Sequence, residues 1–318
     1  MKTNSQTRLL RPDPRQRGAA LIILMLAIVL SLVTLVAFRS ERRGPELEAQ
    51  RKTTLALAQA KEALLGRTAS DEGAKPTPGR LLCPDTANTG NSSNGIVDEN
   101  CTAPVGIPPN SGRLPWKTLR LSDLGDGAGE KLWYVVAKEF ILNRNDPIKL
   151  NTRKIDGNNL ISITGSQPMN QIVAVIIAPG TPLQGQARDS EENKNKLANY
   201  VESYVDGNTI NIAVPSPAYN DRILTITARE VFSVTTQRVV GELANTSLTV
   251  PYPDTLDLIA SKPQVWTFNE WDDAVTNYTV STTTSLKDTL TLQFANCASV
   301  FTIQWDGTRN QVRRSGGC

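Results

Sequence analysis

The sequence contains no histidine. That absence excludes every Ser-His-Asp or Cys-His catalytic arrangement, every imidazole-ligated metal and every imidazole proton relay. Aromatic residues are 5% of the chain and charged residues 20%, against 39% apolar. This balance suits a polar, loop-rich globular body and excludes a polytopic membrane protein or a disordered tail. None of the four cysteines forms a C-x-x-C pair, which leaves a dithiol-redox or zinc role without support. S-x-x-K, G-x-S-x-G, the Walker A phosphate loop and H-E-x-x-H are missing too. Gly125, Gly127 and Gly129 form a glycine-rich stretch, but it follows no clear strand and reads as a turn. No catalytic residue, cofactor or enzymatic activity is expected.

Excess charge is confined to one end. The formal charge of +3 arises from residues 1–18, where Lys2, Arg8, Arg11, Arg15 and Arg17 face one acid, Asp13; without them the remainder carries −1. That distribution does not describe a nucleic-acid surface, and no nucleic-acid partner is expected.

What the chain does have is one long apolar run. From Ala19 to Phe38 there are twenty residues with no charge, no proline and no glycine. As a helix they cover about 30 Å, the hydrocarbon thickness of a bilayer. The run is longer than the apolar region of a secretory signal peptide, and Leu35-Val36-Ala37 is a poor cleavage site for one. The segment is therefore read as a retained, single-pass transmembrane helix over 19–38. The basic residues before it favour a cytoplasmic N-terminus and place the rest across the inner membrane, in the periplasm. Arg39, Arg42 and Arg43 oppose this orientation, but Glu41 lies among them and long domains translocate largely regardless of charge.

After Gly44-Pro45, residues 46–66 are dominated by Ala, Leu, Glu, Gln and Lys, all strong helix formers. They read as a periplasmic stalk helix over 39–66 that Pro45 kinks or interrupts and Gly66 ends. Leu47, Thr54, Ala58, Lys61 and Leu65 form its half-apolar stripe, with Leu57, Ala60 and Leu64 beside it. Residues 67–131 turn rich in Gly, Pro, Asn, Ser and Thr and read as a disulfide-tied loop region. Residues 132–245 form a mixed α+β head. Strands are expected at 132–137, 160–164, 171–178, 209–214 and 223–227, and helices at 193–205 and 228–243. Residues 246–318 read as a C-terminal antiparallel β region over 278–305, closed by a glycine-rich tail. The fold class is thus α+β: a long N-terminal transmembrane and stalk helix, then a mixed head.

Four cysteines in a translocated body suggest two disulfides. Three connectivities exist. Near-neighbour pairing, Cys83 with Cys101 and Cys297 with Cys318, is favoured because the loops enclose only 17 and 20 residues. Acidic groups at Asp85, at Asp123, Asp126 and Glu130, and at Glu270, Asp272 and Asp273 could attract calcium. Each supplies at most three carboxylates for an ion that takes six to eight oxygens. Solvated acidic turns are the better reading, and no metal site is expected. Trp116 and Trp133, and the group Trp266, Phe268 and Trp271, are read as packing aromatics.

The junction Arg15-Gln16-Arg17-Gly18, followed at once by Ala19-Ala20-Leu21, resembles a prepilin leader. The resemblance implies a leader over 1–18, cleavage between Gly18 and Ala19 by a membrane prepilin peptidase, and methylation of the new N-terminus. The apolar helix is then kept as the assembly element, and residues 46–66 are, instead of a plain stalk, the half of a pilin helix packed against its own globular head. Most pilins carry Glu at the fifth position of the mature helix, where this chain has Ile23. That departure points to a minor subunit, similar to the large tip pseudopilin of type II secretion filaments. Further phrases resemble one proteobacterial group of prepilin-like proteins. They are Leu81-Leu82-Cys83-Pro84-Asp85, Gly112-Arg113-Leu114-Pro115-Trp116-Lys117-Thr118-Leu119, Ile177-Ala178-Pro179-Gly180 with Gly185-Gln186, and Asn220-Asp221-Arg222. Relatives in that group carry a more acidic stretch after Cys-Pro than this chain does. The Cys297–Cys318 loop resembles the C-terminal disulfide loop of type IV pilins, which shapes their recognition edge; a simple terminal staple is the equal alternative. The implied function is a pilin-like or pseudopilin-like subunit of a type IV pilus or type II secretion filament, with other pilins or pseudopilins as partners. The alternative is an uncleaved single-pass periplasmic binding protein outside any filament.

Overall fold

The computed structural model describes residues 15–70, 77–86, 94–97, 110–142, 150–157, 159–206, 208–246, 275–283, 286–305 and 310–318. The chain divides into two compact units, Met1–Arg51 and Lys52–Cys318. A single helix, α1 (Arg15–Ala69), begins in the first unit and ends in the second. Contrary to expectation, Pro45 lies inside it without ending it. Proline removes one helical hydrogen bond, but the strong helix formers that follow it carry the helix onward. In the first unit Met25, Ile28, Val29 and Leu30 are all exposed. Ser31 keeps its hydroxyl satisfied within the helix by donating to the carbonyls of Ala27 and Ile28.

The second unit holds two sheets. The larger contains β1 (Ser111–Arg113), β2 (Trp133–Val136), β3 (Ile161–Gly165), β4 (Met169–Ala178), β5 (Tyr204–Asp206), β6 (Thr209–Ile212) and β7 (Arg222–Thr227). Its order is β1-β2-β4-β3-β6-β5, with β7 also on β4. All pairings are antiparallel except β3 with β6. The apolar run of β4 explains its place: Ile172–Ala178 is buried throughout, flanked by β2 and β7. The smaller sheet is an antiparallel meander of β8 (Val275–Thr283), β9 (Leu286–Phe294), β10 (Val300–Trp305) and β11 (Asn310–Ser315). Alternation puts Leu290, Leu292, Phe294, Phe301 and Ile303 inside, with the Phe294 and Phe301 rings edge to face at 5.9 Å.

Two further helices complete the body, α2 (Glu191–Lys194) and α3 (Ala228–Thr246). Helix α3 starts with a reciprocal capping box. The Glu230 carboxylate accepts from the Thr227 amide at 2.9 Å, and the Thr227 hydroxyl accepts from the Glu230 amide at 3.2 Å. Lys61 of α1 pairs with the same Glu230 at 2.6 Å and donates to the Thr225 carbonyl. Phe232 meets Phe140 in the core at 5.8 Å.

The expected fold class is overturned. Among the described residues no helix is long and apolar enough to cross a membrane. Among the described residues the chain is strand-rich, with eleven strands against three α-helices, one of only four residues. Nor is 39–66 a stalk. Thr53, Ala56, Leu57, Ala60, Leu64 and Thr68 of α1 are buried, and the apolar members belong to the same core as the sheet. Their 3-4 spacing is one helix face; Thr54, Ala58 and Lys61 of the expected stripe lie beside it. Small Ala56 and Ala60 let the helix approach closely, so the segment serves as a core element. The helix expected over 193–205 does not form either. After α2 comes a short 3₁₀ turn, Leu197–Asn199, and then β5. Conversely, part of the glycine-rich tail forms β11.

Candidate functional site

Gly18, Ala19 and Ile23 lie within α1, so the expected cleavage junction is on helical backbone. Their side-chain surroundings are outside what the structure describes.

The phrases singled out in the sequence, scattered between residues 81 and 222, converge in the body around two arginines. Arg113, at the end of β1, is 7% exposed, and its guanidinium lies 4.1 Å from the ring centres of both Trp133 and Tyr200. It donates to the carbonyls of Lys131 and Lys194 at 2.9 and 3.0 Å. Burial lowers its ionisation to about 10, against the contrary pull of Tyr200 and Glu130. Arg188 reaches the same Tyr200 ring at 4.3 Å and pairs with Glu130 at 3.0 Å. Its remaining donors go to the Asn199 and Gly180 carbonyls and to Gln186 Oε1. A guanidinium supplies five donors in a rigid fork, which suits it to join several loops at once.

The glycine-rich turn is the third part of this centre. Asp126, expected as a solvated acid, is 1% exposed. Its Oδ1 accepts from the amides of Ala128 and Glu130, and its Oδ2 from the amide of Gly180, all within 2.8–2.9 Å. Thr53 of α1 accepts from the Gly127 amide at 2.8 Å. The turn therefore links α1, the loop after β4 and, through Glu130, Arg188. Glycine is required at 112 for a different reason. A Cβ there would lie 2.6 Å from the Asp85 carbonyl, where Asp85 and Arg113 form a two-way backbone bridge. Asp85 in turn accepts from the Gly95 amide at 2.6 Å.

Beyond Gln186 the network continues into carboxylates. Gln186 donates to Glu202, whose other oxygen accepts from the Asn220 amide at 3.3 Å. Asp221 Oδ2 accepts from both the amide and the hydroxyl of Ser203, at 2.7 and 2.6 Å. Burial, with the Glu202 carboxylate adding to it, pushes Asp221 up to about 7, against the Ser203 hydrogen bonds.

Of the expected disulfides, Cys297–Cys318 is formed, with both residues buried. It packs on α3 rather than standing at an edge: Thr236 Oγ1 is 3.8 Å from Cys318 Sγ, and Arg229 donates to the Cys318 carbonyl. Cys83 is buried and disulfide-bonded; Cys101 lies outside the described residues. Glu270, Asp272 and Asp273 and the aromatics Trp266, Phe268 and Trp271 lie outside them as well. Among the described residues no group of three metal-ligating side chains comes together. Trp133 is core, whereas Trp116 is half-buried with its Nε1 facing Gly95, where a Cβ would come within 2.4 Å.

Arg188 and Tyr200 carried no signal in the sequence. Arg113 did, sitting as a lone cation between Gly112 and Leu114-Pro115-Trp116. The arrangement binds segments of the body to one another: the donors described for the two arginines end on backbone carbonyls, Gln186 Oε1 and Glu130. Comparisons with protein families, with curated proteins and with solved structures give no match for this chain.

Proposed function

We propose that the protein is a minor pilin-like or pseudopilin-like subunit, cut between Gly18 and Ala19 by a prepilin peptidase at the inner membrane. The body over 52–318 then lies in the periplasm, and the N-terminal part of α1 joins other pilins or pseudopilins in a type IV pilus or type II secretion filament. The supporting observation is the exposure of Met25, Ile28, Val29 and Leu30 on α1, just after the junction. Burying one such side chain contributes about 1.5–3 kcal/mol, so packing against neighbouring helices supplies the assembly energy without chemistry. Ile23 provides no carboxylate to meet a neighbour's amine, which confines the subunit to rare or terminal positions.

The N-terminal mass of the membrane-extracted protein tests this reading. A methylated Ala19 start supports it; a Met1 start supports an uncleaved, anchored binding protein. Gly18→Leu should leave a longer protein that no longer enters filaments, because the uncut leader carries Arg15 and Arg17 into an apolar packing site. Normal assembly of Gly18→Leu overturns the proposal.

A further inference from the structure

The strongest unexplained feature of the body is a buried carboxyl, Asp221, beside the half-buried Glu202, with no cation on either among the described residues. Glu202 precedes β5 and Asp221 precedes β7, and together they fasten three segments. Glu202 holds Gln186 and the Asn220 amide. Asp221 holds Ser203, a fully buried residue at the entry to β5, through two hydrogen bonds to one oxygen. Asn220 completes the knot by donating to the Thr181 carbonyl at 2.7 Å. Against this tight packing, Asp221 Oδ1 is buried with no hydrogen-bond partner, on a side chain only 6% exposed. On the next residue, Asn220 Oδ1 is also buried and lacks a donor.

An ionised carboxylate with one oxygen in this state is costly, since a buried acceptor without a donor forfeits its hydration. Among the described residues the Ser203 hydrogen bonds and the Glu202 backbone favour the charged form, but burial outweighs them. The titratable groups facing Asp221 are Glu202 from the segment before β5 and the Tyr219 phenol from the turn before β7, and both are acids. The Tyr219 oxygen lies 3.0 Å from the Ser203 hydroxyl, and burial raises it above the ordinary phenol value. Arg222, next in the chain, is exposed, and Arg188 ends on Gln186 rather than on either carboxylate.

We propose that Asp221 carries a proton on its free oxygen and that this proton closes a latch over residues 180–186, 202–206 and 219–222. With the proton present the site holds one negative charge and Asp221 remains an acceptor for Ser203 at its other oxygen. On its loss the buried Asp221 carboxylate stands ionised beside the charge of Glu202, and the three segments loosen. The sign follows from the direction of the shift. Asp221 is raised above its unfolded value, so its proton stabilises the closed form at low pH, and that contribution falls away as pH rises towards and through about 7.

The test uses the full chain in detergent. Amide hydrogen exchange over 202–206, corrected for the intrinsic pH dependence of exchange, is followed from pH 5 to 9. In the wild type, protection of the Ser203 amide should fall at least tenfold across that range. In Asp221→Asn, which keeps an acceptor oxygen and cannot ionise, the protection factor should be level. Glu202→Gln should move the fall to lower pH, because removing the neighbouring negative charge lets Asp221 ionise more easily. A wild-type protection factor that is level with pH, or an unchanged fall in Asp221→Asn, overturns the latch. If Asp221→Asn does not fold, ¹³C titration of the wild-type Asp221 carboxyl decides: an ordinary aspartate midpoint overturns it. Calcium at millimolar concentration should leave the profile unchanged, and restoration of protection at pH 9 by calcium would replace the proton with a cation.

Discussion

Arg113 shows how much of this body rests on single side chains. Its guanidinium packs against the Trp133 and Tyr200 rings, which lie 5.6 Å apart, and donates to the carbonyls of Lys131 and of Lys194 at the end of α2. Arg113→Ala would strand both carbonyls and leave a void against the Trp133 and Tyr200 rings. Cavity formation and lost hydrogen bonds together should destabilise the fold by about 3 kcal/mol, read as a lower urea midpoint. Arg113→Lys should recover little of that, since an ammonium neither stacks against two rings nor reaches both carbonyls with a planar fork. A lysine variant as stable as wild type would show that charge alone matters at this position. The sequence marked Arg113 only as part of a phrase. Its partners Tyr200 and Lys194 lie about eighty residues away, a distance that no local pattern spans.

Helix α3 was legible through its amphipathic repeat, whereas the cap between Thr227 and Glu230 emerges only in the structure. The strands around Ile161, Val175 and Ile226 were legible through β-branched apolar runs. Helix α1 was misread for a physical reason. Its formers specify a helix, but only its neighbours decide which face is buried, and Lys61 lies beside that face because Glu230 receives it. Residues 193–205 carry helix-forming residues, yet the hydrogen bonds of Ser203 and Asn199 to other loops draw the chain into β5. Two changes test the junction of α1 and α3. Thr227→Ala should cost about 1 kcal/mol through the lost cap. For Glu230, burial acts to raise the carboxyl, but Lys61 and Thr227 outweigh it and hold it below its ordinary value of 4.5. Its stabilising effect is therefore present above that value and lost as pH falls through the lower folded one. Glu230→Gln should lower the melting temperature at neutral pH and match wild type in strong acid. A constant difference at all pH values would assign the loss to packing instead of charge.

Across the whole second unit, α1, α3 and both sheets share one core, and the smaller sheet is further fastened to α3 by polar contacts. The Cys297–Cys318 pairing was legible from spacing alone, but its attachment was not, because the attachment points on α3 are over fifty residues away in sequence. Arg314, two residues before β11 gives way to Gly316, donates to the carbonyl and hydroxyl of Ser233 at 2.7 Å each and to the Ser299 hydroxyl. Arg229 holds the Cys318 carbonyl from the first turn of α3. The disulfide therefore does two things: it closes a loop around β10 and β11, and it keeps Cys318 where Arg229 and Thr236 meet it. Closing a loop of about this length stabilises by roughly 3 kcal/mol through the unfolded chain, a term spread over the cooperative unit. Loss of docking is local. A double Cys297→Ser, Cys318→Ser variant should then unfold at lower urea and also exchange amide protons faster in β10 and β11 than in β4, under conditions where the larger sheet remains closed. Arg314→Ala with the disulfide intact should show the local effect with a smaller global one, since the covalent loop survives and only the bonds to Ser233 and Ser299 are lost. Equal acceleration in β4 and β10 in the double variant would mean that the staple acts only on the unfolded chain, and the docking role would be withdrawn.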